Sequence, residues 1–558
     1  MNLIKNNKNE IFILILSLLI STLINSGYHW QDYNYLHSLN FKDSISEYKN
    51  LAGYHLYFRP FMFLHIRLID FLNKSEFYFN SFNSLSWIIS VFLFYYSFKI
   101  KKYVNEYFLL ISLFPSISSS IVLSGLFTSL SHALIFFSIS ALFLQIYLHK
   151  KKIIYLIFFN IFLIISLLFY EIVFIFSPFY FLLTENKKVY LKIFFNLIII
   201  VLIYIFYNKF IIEAILQPDS MDTRIRMLNF EIIPIFISNF TIMLRIVFLD
   251  IPQMFFNSLV SSFSNLNIKF IIFLFLTIIL LFFIKKKQYK KNIYINKFVI
   301  VIFSSLIFNI GILSITNFPP FMFGNYNRGI VGLLFFIACF LPLLNKNSIG
   351  KFAISLFVFL NIISFINIKQ NSENIEKFKH RFIKTIKTKH DLQNIIILPI
   401  GHKFNTNGEE IYETENDFKS YFYGMSFFDF YNNKYNYNLN TNNLFFLLPT
   451  RACNIREYKV SASSQSVNGI FYPINIYIYD KNLNYKSIIV NNHQEFYNFA
   501  KTNLDCEYSE SINHYYSQSY VLSPFCVNYF NMKNNIKKFI CKNIISSYYN
   551  YSKFSSKL

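Results

Sequence analysis

Glycine and carboxylates are the scarce residues of this chain, which holds 12 glycines, and 29 Asp and Glu against 52 Lys and Arg, in 558 residues. Glycine falls far below its usual share of ~7%. None of it stands in a Walker loop or a Gly-x-Gly-x-x-Gly arrangement, so a nucleotide-cradling loop is not indicated. The chain has five cysteines, and no pair has the short spacing of a zinc site. Charged residues make up only 15% of the chain, too little for an ordinary soluble protein.

What is abundant is apolar. Hydrophobic residues reach 54%, aromatics 21% and the mean hydropathy is +0.39, which marks a polytopic membrane protein. Phe, Ile, Tyr, Asn and Lys are enriched together, the mark of an AT-rich coding bias, so an aromatic stripe carries little information here. The net charge of +23 would suit a nucleic-acid partner. The lysines, however, fall in short clusters between apolar runs, as in the cytoplasmic loops of membrane proteins, so nucleic acid is not expected as a partner.

Apolar runs lie at 11–24, 80–98, 107–123, 131–148, 153–170, 172–184, 189–207, 268–284, 298–315, 329–344 and 352–367. Lys5 and Lys8 precede the first run, and no small-x-small cleavage site follows it, which predicts an uncleaved signal-anchor with its amino end in the cytoplasm. If every run crosses once, Lys99/Lys101/Lys102, Lys150–Lys152, Lys187/Lys188/Lys192, Lys285–Lys287 with Lys290/Lys291, and Lys346/Lys351 all face the cytoplasm. The expectation is a multi-pass protein of the cell inner (plasma) membrane with about 11 transmembrane helices. Residues 208–267, interrupted by Pro234, Arg245, Asp250 and Pro252, read as surface helices, a re-entrant segment or an additional pair of spans.

The pattern predicts a membrane domain over 1–369 and a carboxyl-terminal extracytoplasmic α/β domain over 370–558. The latter carries strand-like runs at Asn394–Ile400, Leu444–Pro449, Tyr458–Ala462, Gly469–Tyr479 and Ser487–Val490, then a helix-like His493–Leu504. Its cysteines, Cys453, Cys506, Cys526 and Cys541, suit either two disulfides or buried thiols.

The first external loop, 27–79, concentrates the polar chemistry. Its stretch Gly27–Arg67 holds Asp32, Asp43, Glu47, His29, His55 and Arg59 in a chain that is otherwise mostly apolar, and charges kept close to a bilayer are usually functional. The arginines provide a second signal. Arg59, Arg67, Arg224, Arg226, Arg245, Arg328, Arg381, Arg451 and Arg456 all avoid the predicted cytoplasmic loops, where lysine alone supplies positive charge. A guanidinium can grip two phosphate oxygens at once, so arginine kept to the external side points to anion recognition there.

In its order of motifs, the segment 1–370 resembles the GT-C superfamily of polyprenyl-phosphate-sugar-dependent glycosyltransferases, in its protein mannosyltransferase-like and TMTC-like branches. The likeness lies in Trp30-Gln31-Asp32-Tyr33 in the first external loop, and Tyr57-Phe58-Arg59-Pro60-Phe61 before an amphipathic stretch and Phe77-Tyr78-Phe79-Asn80. It continues through Leu113-Phe114-Pro115-Ser116 to His132-Ala133-Leu134, Leu168-Phe169-Tyr170-Glu171 to Pro178, and Asn327-Arg328-Gly329. Two features depart from it: Gln31-Asp32 stands where many relatives have paired acids, and Ser118 to Ser120 where TMTC-like members carry a Glu. No metal site is expected, and a divalent ion is not indicated.

The resemblance implies inverting sugar transfer on the external face. Asp32 is the expected general base and Glu171 the second acid of the site; Arg59, Arg328 and Arg245 are expected at the donor phosphate, with His55 beside them. The implied partners are a polyprenyl-phosphate-linked sugar donor, a glycan, lipid or protein acceptor, and the bilayer. Two other functions suit the same composition. A polymerase or ligase of lipid-linked surface polysaccharide predicts a large loop between spans, and a non-catalytic transporter of lipid-linked sugar predicts charges deep in several spans.

Overall fold

The computed structural model describes residues 8–24, 61, 76–123, 128–207, 232–264, 268–283, 293–315, 320, 329–345, 348–386, 391–397, 444–447, 472–479, 484–503, 535–536 and 539. The chain divides into two compact units, one comprising Met1–Asn25 and Ser44–Gln370, the other Ser26–Asp43 and Asn371–Leu558.

The first unit is helical. Its elements are α1 (Lys8–Leu23), α2 (Glu76–Ser97), α3 (Tyr107–Ser112), α4 (Ser120–Leu123), α5 (Thr128–Lys150), α6 (Ile153–Phe169), a 3-10 helix (Glu171–Leu183) and α7 (Lys187–Phe206). Then follow α8 (Ile232–Arg245), α9 (Ile251–Ser264), α10 (Ile268–Phe283), α11 (Ile293–Ile315), α12 (Val331–Phe340) and α13 (Ser348–Thr385). Five helical stretches among the described residues are long and apolar enough to cross a membrane: Thr128–Lys150, Lys187–Phe206, Ile233–Ser262, Asn296–Ile315 and Ser348–Gln370. The chain is a helical membrane protein.

The runs expected at 107–123, 172–184 and 329–344 fold differently from full-length spans. They form short elements, shorter than the roughly 20 residues a crossing needs, and nearly all their side chains are buried. Their rings pack together: Phe335 of α12 lies 4.7 Å from Phe176 of the 3-10 helix, 5.1 Å from Phe94 and 6.1 Å from Trp87.

Short helices leave carbonyls unpaired at their ends, which apolar surroundings tolerate only if other groups supply donors. Polar side chains on the long helices do so. Asn361 of α13 donates to the carbonyls of Phe114 (2.8 Å) and Ile111 (3.3 Å), and accepts from the Ser116 hydroxyl. Trp87 Nε1 donates to Ser112 O at 2.9 Å. Two further carbonyls lie away from such ends: Ser305 of α11 donates at 2.8 Å to Ile175 O, whose i+3 residue Pro178 has no N–H, and Asn309 Nδ2 donates at 2.9 Å to Gly329 O, just before α12.

Side-chain contacts also fix the direction of each element. α1 runs antiparallel to α2, because Glu10 meets Lys101 at 2.6 Å and accepts from Tyr96 at 2.6 Å. α5 runs parallel to α2, with Phe82 stacked on His132 near their starts and Gln145 bonded to Ser97 O near their ends. The 3-10 helix follows the same direction, pairing Phe176 with Phe94 and Tyr180 with Phe98, each at 5.3 Å. α11 is antiparallel to it, since Lys297 bonds Thr184 O while Ser305 bonds Ile175 O. α13 starts beside Tyr107, whose hydroxyl is 2.8 Å from Ser355, and reaches Ser21 O through Lys369 at 2.9 Å.

These contacts put Lys99–Lys102, Lys150–Lys152, Lys187, Lys188 and Lys351 at one end of the bundle. At the opposite end lie Ser21, Phe82, His132, Phe169, Glu171, Gly329 and Lys369. Lys285–Lys287, Lys290, Lys291 and Lys346 lie outside the described residues.

The interrupted region 208–267 is helical where it is described. α8 and α9 are joined by a π-helical turn, Ile246–Asp250, and Arg245 Nε meets Asp250 Oδ2 at 3.0 Å across it, both side chains buried. An acid and a base five residues apart on one helix reach each other over this wider turn.

α13 passes through the expected domain boundary without a break. Its apolar pattern ends near Ile368, yet helix formers continue it to Thr385, and a Glu373–Lys377 pair at 2.8 Å spans one turn.

The second unit contains a four-stranded sheet in the order β2-β1-β3-β4, from β1 (Gln393–Ile397), β2 (Leu444–Leu447), β3 (Ile474–Tyr479) and β4 (Tyr485–Val490). β1 pairs in parallel with β2 and β3, and β3 is antiparallel to β4. Helix α14 (His493–Asn503) follows, its first turn closed by Asn492 Oδ1 accepting from Glu495 N while the Glu495 carboxylate accepts from Asn491 N, each 2.9 Å. Ile395, Ile474, Ile476, Val490 and Phe496 form its core. On the other face the register partners Asn394 and Asn475 are buried and hydrogen-bonded at 2.9 Å. The predicted runs at 394–400, 444–449, 469–479 and 487–490 each contain or overlap an observed strand; Tyr458–Ala462 lies outside the described residues.

Candidate active site

Of the expected site residues, Glu171 and Arg245 are described; Asp32, His55, Arg59 and Arg328 lie outside the described residues, as do Cys453, Cys506, Cys526 and Cys541. Immediate neighbours of two of the latter are described. Phe61, joined to Arg59 through Pro60, stacks on Phe169 at 5.4 Å. Gly329, which follows Arg328, is held by Asn309.

Phe169 ends α6 and anchors a wall of rings: it stacks on Phe136 at 5.3 Å and lies 5.9 Å from His132, which in turn stacks on Phe82 at 5.7 Å. Tyr170 is extended, which breaks α6 and turns the chain into the 3-10 helix at Glu171. Glu171 is half-buried. Ser166 Oγ donates to Ala133 O at 2.7 Å, locking the last turn of α6 to the first turns of α5 and so setting the level of Glu171 against His132.

Glu171 and Gly329 also share a level. α11 meets the 3-10 helix at Ser305–Ile175 and α12 at Asn309–Gly329, one helical turn further on. Glu171 lies in that same direction from Ile175. Phe61, His132, Glu171 and Gly329, far apart in sequence, therefore lie at one end of the bundle.

Gly332 is required by this arrangement. A Cβ there would stand 2.7 Å from the Cγ and Oδ1 of Asn309, so only glycine lets Asn309 reach across to Gly329.

No family model, curated protein or solved structure matches the chain. The reading of the site therefore rests on its own residues.

Arg245 is engaged within the chain, by Asp250. A buried guanidinium needs such a partner, because an unpaired ion in low dielectric costs several kcal/mol. Lys369 is a cation that reasoning from sequence missed. It is fully buried at the Glu171 end, and its Nζ caps the carbonyl of Ser21 in the last turn of α1. In the sequence it looks like the first polar residue after an apolar run, where lysines ordinarily snorkel to water. Only its burial distinguishes it.

Chemically, this end offers a half-buried carboxylate, a buried ammonium and a set of aromatic faces, on a bundle whose other end is crowded with lysine. A carboxylate here can orient a cation or take a proton, and the cation can offset a phosphate charge.

Proposed function

We propose that the chain is a membrane glycosyltransferase that moves a sugar from a polyprenyl-phosphate donor to a glycan, lipid or protein acceptor on the external face of the plasma membrane. The observation that supports this most directly is the placement of Phe61, Glu171 and Gly329 at the bundle end opposite the described lysine clusters. In this reading that end is external, the amino terminus is cytoplasmic, and about eleven apolar passes, the short buried elements included, bring the carboxyl-terminal α/β unit outside to help bind the acceptor.

Asp32 takes the proton of the acceptor hydroxyl as it attacks the anomeric carbon, and the bond to the lipid phosphate breaks. Arg328 and Arg59 hold the departing phosphate, His55 assists them, and Glu171 orients a guanidinium or the substrate. The test is transfer from labelled polyprenyl-phosphate sugars by reconstituted protein, wild type beside Asp32→Asn. Transfer that depends on Asp32 is expected; undiminished transfer by the variant would discard the assignment of the base.

A further inference from the structure

Buried hydroxyls in this bundle mostly satisfy themselves on their own helix. Ser17, Ser90, Ser140, Thr277 and Ser314 each donate to a carbonyl three or four residues earlier, the usual solution for serine and threonine in apolar helices. Ser112 and Ser138 are isolated exceptions among the described residues, and one larger set departs from this rule. Near the starts of α2 and α5, the buried atoms Ser81 Oγ, Ser84 Oγ, Ser129 Oγ, Ser131 Oγ and both amide atoms of Asn83 have no hydrogen-bond partner among the described residues. Asn83, Ser129 and Ser131 are wholly buried.

The two segments belong to adjoining helices, because α2 and α5 run parallel and Phe82 stacks on His132. Asn345 and Asn105 Nδ2, near the lysine end, likewise have no partner among the described residues. An orphan amide in an apolar interior is costly, and one accompanied by four orphan hydroxyls on adjoining helices calls for a partner.

The chemistry of the group selects that partner. It carries no charge, so it does not match a phosphate. Amide and hydroxyl groups both donate and accept, as the hydroxyls of a sugar do, and the rings of Phe82, His132 and Phe169 beside them offer the apolar faces that small-molecule sites combine with a few polar contacts. We infer that Asn83, with Ser81, Ser84, Ser129 and Ser131, forms a subsite for the neutral sugar of the lipid-linked donor, set apart from the cations that hold its phosphate. This rests on the glycosyltransferase reading.

The test measures binding by the full-length protein in lipid nanodiscs. Bare polyprenyl phosphate is compared with polyprenyl phosphates carrying one glucose, galactose, mannose or N-acetylhexosamine. The wild type should bind at least one sugar-bearing lipid about tenfold more tightly than the bare lipid, the scale of one or two net hydrogen bonds. Asn83→Leu, nearly isosteric, should keep the affinity for bare lipid and lose the preference, with thermal stability unchanged or raised because an orphan amide is removed. Ser129→Ala/Ser131→Ala should do the same with a smaller structural change.

If both variants keep the wild-type preference, or the wild type binds all the lipids equally, the group is a structural or hydrated cluster and the subsite is overturned, while the transferase reading stands. A wild type that binds none of the lipids overturns both.

Discussion

Asn309 on α11 donates to the carbonyl of Gly329, the residue next to Arg328, at 2.9 Å. This one bond ties Gly329 to the helix that also carries Ser305, the partner of Ile175 four residues beyond Glu171. A single rigid helix thus indexes two candidate site segments that lie far apart in sequence.

Gly332→Ala should disturb that index. The new methyl meets the Asn309 side chain at 2.7 Å, so the variant should lose about 1–3 kcal/mol, the usual cost of overpacking. Donor affinity should fall with it. Thermal unfolding in detergent and donor binding check both outcomes, and unchanged values for both would show that Asn309 does not need its present place.

Asp32→Asn and Arg328→Lys should fail in different ways. The first removes a base used in the transition state, so turnover should drop about a hundredfold or more with donor affinity nearly unchanged. The second keeps charge and loses the two-pronged geometry, weakening donor binding and turnover by about 1–3 kcal/mol. Steady-state kinetics with separate measurement of donor affinity distinguish them.

Arg245 and Asp250 separate structure from binding. Arg245→Leu alone leaves a buried carboxylate unpaired and should destabilise by about 3–5 kcal/mol, whereas Arg245→Leu with Asp250→Leu should recover most of that loss. If Arg245 also holds donor phosphate, the double variant will fold yet bind donor weakly. Full donor affinity in a stable double variant would make the pair purely structural.

Topology reporters fused after Lys152 and after Lys287 should report cytoplasm, and one at the carboxyl terminus the external side. At least two of Cys453, Cys506, Cys526 and Cys541 should then be disulfide-bonded. A cytoplasmic carboxyl terminus, or complete thiol labelling of all four cysteines in denatured, unreduced protein, would reverse the orientation or the redox assignment respectively.

Hydropathy and charge along the chain were enough to identify a helical membrane protein, to group those lysine clusters that the structure describes and places at one end, and to locate the runs that became β1 to β4 and α14. These features are local: each depends on side chains within one element and its solvent. Hydropathy cannot distinguish a helix surrounded by lipid from one surrounded by protein, because both are apolar. Hence 107–123, 172–184 and 329–344 read as spans, and only packing showed them to be short elements whose carbonyls accept from Asn361, Trp87, Ser305 and Asn309 on the long helices. The burial of Lys369, the pairing of Arg245 with Asp250 and the shared level of Glu171 and Gly329 were likewise decided by tertiary structure, because each depends on which helix lies alongside and in which direction it runs.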